Sequence, residues 1–359
     1  MKNAACFLLL LMPIMVGCSS TPSHRSGGAT PSRDAEPNRR VLFLALDGFR
    51  SDALLRHAPH LRAFGEKNLA TWNSKVAIPI SAPSWCTIFS GLSQERTGVT
   101  NNAFTGKNLK SSDNNLAKRT EKTIFHHLRE NRRDSAVVST GTWDGIEKIA
   151  NYSFPLEKNV RTISPNNRPH NELAAQEKGI AVALEYIDSP GIDFVTFYTH
   201  HIDNSGHMFG HDPDVFQYAT AIRQTDANLV RLFRAVEERE RNHGEEWLVL
   251  ISTDHGGSSR WKLEGSEAGL EILSRFDVDK QINAGIPQNH LEGIHGLQND
   301  DVIGNEQTTT FIIMSQGGKR GSLGEGWTNR DITPTILDYL LPGKKDLLKK
   351  LDGKSFLVR

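Results

Sequence analysis

The sequence predicts a three-layer α/β/α domain built on a mainly parallel central sheet, and three observations predict it. Short apolar runs without polar alternation recur along the chain, as strands buried on both faces require. Longer segments with helical spacing separate them, which implies crossovers with helices on both faces of the sheet. Asp and His side chains fall repeatedly just past the ends of the apolar runs, the edge at which folds of this class bind ligands.

The strand candidates are residues 41–46, which end in Asp47-Gly48, a weaker run at 136–138, and residues 193–198, 247–252 and 310–314. The helix candidates are residues 122–131, 172–186, 214–238 and 331–341. In the third of these Phe216, Ala219, Ile222, Ala227 and Val230 recur at intervals of three to five, which draws an apolar stripe along one face. Two polar or mixed stretches, near 101–118 and 258–291, break the rhythm and read as excursions over the strand ends that form a pocket.

Composition removes several function classes. Lys+Arg and Asp+Glu both total 42, so the chain lacks the basic excess that binding a nucleic-acid polymer requires. Three cysteines in 359 residues are too few for a disulfide scaffold, and no periodic repeat marks a solenoid. Residues 1–17, with Lys2 before an apolar stretch from Ala4 to Val16, have the length of a signal peptide and fall short of a membrane span. Met15-Val16-Gly17-Cys18 resembles a bacterial lipobox, which implies an exported lipoprotein of the periplasm or cell envelope, held to a membrane through Cys18. A plain secretory signal cut elsewhere is the alternative. Residues 18–40, rich in Ser, Pro, Gly and Arg, read as a flexible tether, and residues 41–359 as one domain. Cys86 is then the one remaining thiol and reads as a small buried apolar residue.

The chemistry-bearing residues gather at the strand ends. Asp47 closes the first strand. Asp203 and His207 lie in the run from His200 to His207, Asp254 and His255 in Thr253-Asp254-His255-Gly256-Gly257, and His295 in Gly293-Ile294-His295-Gly296. Three carboxylates and three imidazoles suit two zinc ions, since these are the ligands zinc takes and a catalytic zinc keeps one position open. Two such ions about 4 Å apart clamp both the attacking and the leaving oxygen of a phosphoryl transfer. A hydroxyl is supplied by Pro79-Ile80-Ser81-Ala82-Pro83-Ser84-Trp85, where Pro83 suits a first helical turn and Ser81 stands beside a helix N-terminus. From this segment alone, Ser81 reads equally as a nucleophile and as a helix-capping serine.

With these residues in place the chain resembles the alkaline phosphatase superfamily, and within it the nucleotide pyrophosphatase/phosphodiesterase branch, from about Val41 to Phe356. The motifs that carry the resemblance are Leu46-Asp47-Gly48-Phe49-Arg50, Ser81-Ala82-Pro83-Ser84, Thr97-Gly98-Val99-Thr100-Asn101-Asn102, Asp203-Asn204-Ser205-Gly206-His207, Thr253-Asp254-His255-Gly256, Gly293-Ile294-His295-Gly296 and the closing segment from Asp331 to Leu337. The resemblance implies that Asp47, Ser81, Asp254 and His255 hold one metal ion, and Asp203, His207 and His295 the other. It implies that Asn102 and the Ala82 N–H bind phosphoryl oxygens, and that Ser81 forms a covalent phosphoserine during hydrolysis of a small, nucleotide-like phosphoester.

Two departures bear on substrate. The branch usually carries Thr as nucleophile with Asn-His after the proline, whereas this chain has Ser81 and then Ser84-Trp85. The Ser-Ala-Pro-Ser run also resembles the sulfatase signature, but Trp85 stands where that signature has Arg, and Asp47-Gly48 where sulfatases pair aspartates. A phosphomonoesterase, a phosphonate hydrolase or a sulfatase of the same superfamily are the enzyme alternatives, and a non-catalytic lipoprotein that binds metal or phosphate is the alternative of another class. Trp85, Phe104 and Trp143 are candidates to line the slot for a diester's second group, and Arg50 or Arg96 to meet a phosphate.

Overall fold

The computed structural model describes residues 38–104, 121–150, 159–165, 171–257 and 307–358. Residues Pro37–Arg359 form one compact unit. Its first half runs β1 (Arg39–Leu46), α1 (Ser51–His57), α2 (Pro59–Lys67), β2 (Leu69–Lys75), α3 (Ser81–Ser90), α4 (Gln94–Thr97), α5 (Ile124–Glu130), β3 (Ser135–Thr140), α6 (Gly145–Ala150) and β4 (Val160–Ile163). Its second half runs α7 (Glu172–Asp188), β5 (Phe194–Thr199), α8 (His201–Phe209), α9 (Phe216–His243), β6 (Glu246–Ser252), β7 (Thr309–Met314), β8 (Gly321–Ser322), α10 (Ile332–Leu340) and α11 (Lys345–Leu348).

Strand β1 shows why the runs are continuously apolar. Val41, Phe43 and Ala45 face one core with side chains of α3, α5, α6 and α10. Leu42, Leu44 and Leu46 face the other, with α1, α2, α7 and α9. A strand with helices on both sides has no wet face, so period-two alternation disappears. The sheet order is β4-β3-β5-β1-β6-β7-β2-β8. From β4 to β6 every pairing is parallel, while β7 runs antiparallel to both β6 and β2. All five expected strands and all four expected helices form. Strand β2 escapes the sequence reading because Thr, Asn, Ser and Lys interrupt it and a bulge breaks its register between Thr71 and Ser74. Among the described residues no helix is long and apolar enough to cross a membrane.

The register of the parallel strands sets the stage for the site. Leu46 of β1 pairs with Thr199 of β5, and Ala45 pairs with Ser252 of β6. One step further along β5 brings His200 level with Asp47, and two steps along β6 bring Asp254 level with it. Thr140 of β3 also pairs with Thr199, which brings Gly141 level with His200.

At the opposite edge a buried charge network ties the layers. Arg40, 1% exposed, donates to the carbonyls of Ile192 (2.8 Å), Ile187 (2.9 Å) and Ser189 (2.8 Å) and pairs with Glu245 at 3.2 Å. Glu245 also accepts from Arg239 and from Trp247 Nε1 at 2.9 Å. Burial alone pushes the Glu245 carboxyl up, but the hydrogen bonds from Arg239 and Trp247 and the Arg40 charge outweigh it and bring it down to about 2. Removing the carboxylate leaves a buried guanidinium uncompensated, so Glu245→Ala is expected to cost about 3–5 kcal/mol in urea unfolding at pH 7. The folded carboxyl titrates far below its ordinary 4.5, so its contribution is whole above that pH and is lost as pH falls toward 2. The stability gap between wild type and variant is therefore expected to narrow below pH 4.5.

Candidate active site

Asp47 follows β1 directly and is fully buried. Its Oδ2 accepts hydrogen bonds from Tyr198 Oη at 2.5 Å and Trp85 Nε1 at 3.1 Å. These leave Oδ1 pointed at Asp254 and His255, both fully buried at the end of β6. His255 Nε2 lies 3.3 Å from Asp254 Oδ2 and 3.6 Å from Asp47 Oδ1. Ser81, the first residue of α3, brings its Oγ to 3.1 Å from the same nitrogen. The helix begins two residues before Pro83, with Ile80 as the cap, so Ser81 lies inside the first turn and its side chain does not cap α3.

The second cluster is built on α8. His200 precedes the helix, and Asp203 and His207 follow at spacings of three and four, which stacks them on one face. Asp203 Oδ2 lies 2.8 Å from His207 Nε2 and 3.3 Å from His200 Nε2. Its Oδ1 meets His211 Nε2 at 2.9 Å. His211 is fully buried and occupies space left by two glycines, since a Cβ on Gly206 would lie 2.1 Å and one on Gly257 2.3 Å from its ring.

Gly48 welds the clusters together. It adopts φ +62°, and a Cβ there would sit 2.1 Å from Asp203 Oδ1. Its N–H donates to Asp254 Oδ1 at 3.2 Å, and its carbonyl accepts from Tyr218 Oη at 2.7 Å. Ser84 supports the same edge, donating to the Asp254 carbonyl at 2.7 Å while accepting from Asn329 Nδ2 at 2.7 Å.

The electrostatics are those of acid crowded into a dry space. Burial holds the Asp47 and Asp254 carboxyls above the usual carboxylate range, and a neighbouring acid adds to each: Asp203 for Asp47, Asp47 for Asp254. Burial also pushes Asp203 up, but the charge of His207 and the hydrogen bonds of the surrounding histidines hold it well below that range. His255 is lowered by burial yet raised to about 9 by Asp254, Asp203 and Asp47.

The donor set fits divalent cations. Asp47 Oδ1 and Asp254 Oδ2 are buried and accept no hydrogen bond among the described residues. Ligand atoms from Asp47, Asp254 and His255 lie within 4.8 Å of one another, as do those from His200, Asp203 and His207. Tetrahedral zinc with bonds of about 2.0–2.1 Å spaces its ligand atoms by about 3.3 Å, close to the separations around His255 and between His200 and Asp203.

The structure thus brings together Asp47, Ser81, Asp254 and His255, and joins Asp203 to His207. Asn102 Oδ1 accepts from the Ala82 N–H at 2.9 Å, so the two expected phosphoryl-binding groups touch each other beside Ser81. His295, Cys18, the 258–291 excursion, most of the 101–118 excursion and residues 1–37 lie outside the described residues. Three expectations are corrected. Trp85 does not line a slot: it is fully buried against Phe43, Phe89 and Tyr198, and its N–H serves Asp47. Arg50 is buried and spent on Asp52 and the His211 carbonyl. Arg96 pairs with Asp352 at 2.8 Å on the surface. Phe104 and Trp143 do stack on each other, with centroids 6.4 Å apart, and Trp143 also contacts Tyr198. His211 and the partner of His200, Glu172, were not singled out by sequence. The strand register is the signal that places His200, and no local pattern marks the other two.

Sheet order, crossover helices and metal-suited clusters at the strand ends define an alkaline-phosphatase-like α/β/α hydrolase fold. Within that superfamily the chain belongs to the type I phosphodiesterase / nucleotide pyrophosphatase family, whose model matches residues 41–261. No curated protein matches the chain. Among solved structures it is similar to an inactive variant of murine ectonucleotide pyrophosphatase/phosphodiesterase 5 in complex with AMP, with a TM-score of 0.57, 17% identity, and coverage of 84% of this chain and 95% of that one. Human ectonucleotide pyrophosphatase/phosphodiesterase 5 gives a TM-score of 0.56 at 17% identity, covering 87% and 95%. A 2-O GAG sulfatase gives 0.56 at 12% identity, covering 90% and 76%.

The weld at Gly48 is open to test. Gly98 has nearly the same φ, +65°, with nothing within 4 Å of the place a methyl group would take, so Gly98→Ala isolates backbone strain of about 1–2 kcal/mol. Gly48→Ala adds the collision with Asp203 and is expected to cost at least about 2 kcal/mol more in urea unfolding.

Proposed function

We propose that the protein is a two-metal phosphoester hydrolase that cleaves small, nucleotide-like phosphodiesters through a covalent phosphoserine on Ser81. The single observation that carries the reading is the Ser81 hydroxyl on the first turn of α3, 3.1 Å from His255 Nε2 and facing the Asp47–Asp254–His255 cluster. Asp47, Ser81, Asp254 and His255 would hold one ion, and Asp203, His207 and His295 the other. When bound, divalent ions, zinc by ligand type, lower the pKa of the serine hydroxyl and neutralise charge on the phosphoryl and leaving oxygens.

The chain's own groups perform the positioning. The Asn102 amide and the Ala82 N–H, joined to each other at 2.9 Å beside Ser81, would part to receive non-bridging phosphoryl oxygens at the start of α3. Ser81 gives its hydroxyl proton to water, Oγ attacks phosphorus in line, an Oγ–P bond forms, and the P–O bond to the leaving alcohol breaks. The leaving oxygen takes a proton from water. A second water then attacks phosphorus, the Oγ–P bond breaks, and Ser81 recovers its proton. No separate side chain is needed as general base. The half-buried face of Trp143, stacked on Phe104, supports a diester over a monoester, because an aromatic surface accepts a second organic group rather than a second charge. The AMP held by the murine neighbour is consistent with such a group. Export and anchoring through Cys18 would set this activity at the cell envelope.

Turnover of a nitrophenyl phosphodiester should exceed that of nitrophenyl phosphate and nitrophenyl sulfate. Ser81→Ala is expected to lower kcat by roughly a thousandfold or more while the protein still binds two equivalents of zinc. Wild-type turnover that survives in Ser81→Ala would remove the phosphoserine, and absence of turnover on every ester would favour a non-catalytic binding protein.

A further inference from the structure

His200 has surroundings that the proposed ion sites do not use. It is 9% exposed, and its two ring nitrogens face different carboxylates. Nδ1 lies 3.3 Å from Glu172 Oε1 and 3.2 Å from Thr142 Oγ1. Glu172 is 2% exposed, and the same Oε1 accepts from the Thr142 N–H at 2.9 Å and from Thr142 Oγ1 at 3.0 Å. The carboxylate is thereby locked behind the ring. On the far side Nε2 points at Asp203 Oδ2, within the group formed with His207.

We propose that His200 is a further metal ligand at the Asp203–His207 cluster, oriented by the Glu172 carboxylate behind it. The inference rests on the two-ion reading above. Three features carry it. Nε2 and Asp203 Oδ2 stand 3.3 Å apart inside the group shared with His207, which matches the spacing of two ligand atoms on one tetrahedral ion. A metal-bound imidazole characteristically donates its other N–H to a carboxylate, which is the place of Glu172. The seat is also built by the backbone: Gly141, at φ +124°, would put a Cβ 2.4 Å from His200 Cβ and 2.7 Å from Glu172 Oε2, so only glycine at the end of β3 lets the pair form.

The test uses the full chain, stripped of metal and titrated with Co2+ under chelator competition, with visible absorption as the readout. Wild type is expected to bind two ions with distinct spectra. His200→Ala should lower the affinity of one site at least 100-fold and change the absorption bands of that site alone. Glu172→Gln, which keeps the shape of the seat, should weaken the same site about 10–100-fold and hold a folded thermal transition should His200→Ala lose it. Wild-type Co2+ affinity and an unchanged spectrum in both variants would overturn the proposal and leave His200 a hydrogen-bonded bridge between two acids. A wild type that binds fewer than two ions would overturn the two-ion reading itself, and that result appears before any variant is made.

Discussion

Three carboxylates that cannot reach water hold this structure to its chemistry. Asp47, Asp203 and Asp254 come from three separate parts of the chain and are each 1% exposed or less. Burial, reinforced by mutual proximity, raises two of them, and the ring of histidines holds the third well below the usual carboxylate range against its own burial. Burying unpaired carboxylates is costly, and such groups persist where cations or hydrogen bonds compensate them. The neighbouring imidazoles compensate in part, while Asp47 Oδ1 and Asp254 Oδ2 remain aimed inward among the described residues. The arrangement is a receptacle for positive charge.

Everything around the acids keeps them close. Tyr198 and Trp85 fix one oxygen of Asp47 and so turn the other inward. Gly48 lets the backbone pass within contact of Asp203, a distance at which any side chain would collide. Ser84 and Asn329 brace the Asp254 carbonyl from the opposite layer. Trp85 belongs at once to the aromatic core and to the site, which couples the packing of α3, and hence the placement of Ser81, to the orientation of Asp47.

Much of this was legible in the chain. Continuous apolar runs announced strands covered on both faces, and the acidic and imidazole residues just past them announced the functional edge. What remained hidden depends on register and on packing between distant segments. The antiparallel course of β7 leaves no mark in an apolar run, because direction is set by the connection and not by the strand. Trp85 reads as a pocket aromatic until its indole N–H is seen to reach Asp47, and Arg50 as a phosphate ligand until Asp52 and a carbonyl claim it. His200 and Glu172 lie 28 residues apart and meet only because β3 and β5 pair in a register that sets Gly141 beside His200.

The most direct measurement of the central claim is a crystal structure of the zinc-soaked protein with anomalous scattering recorded at the zinc edge. Two peaks about 4 Å apart are predicted, one bounded by Asp47, Asp254, His255 and Ser81 Oγ and the other by Asp203 and His207. A single peak, or peaks outside these carboxylates with Ser81 turned from them, would contradict the account.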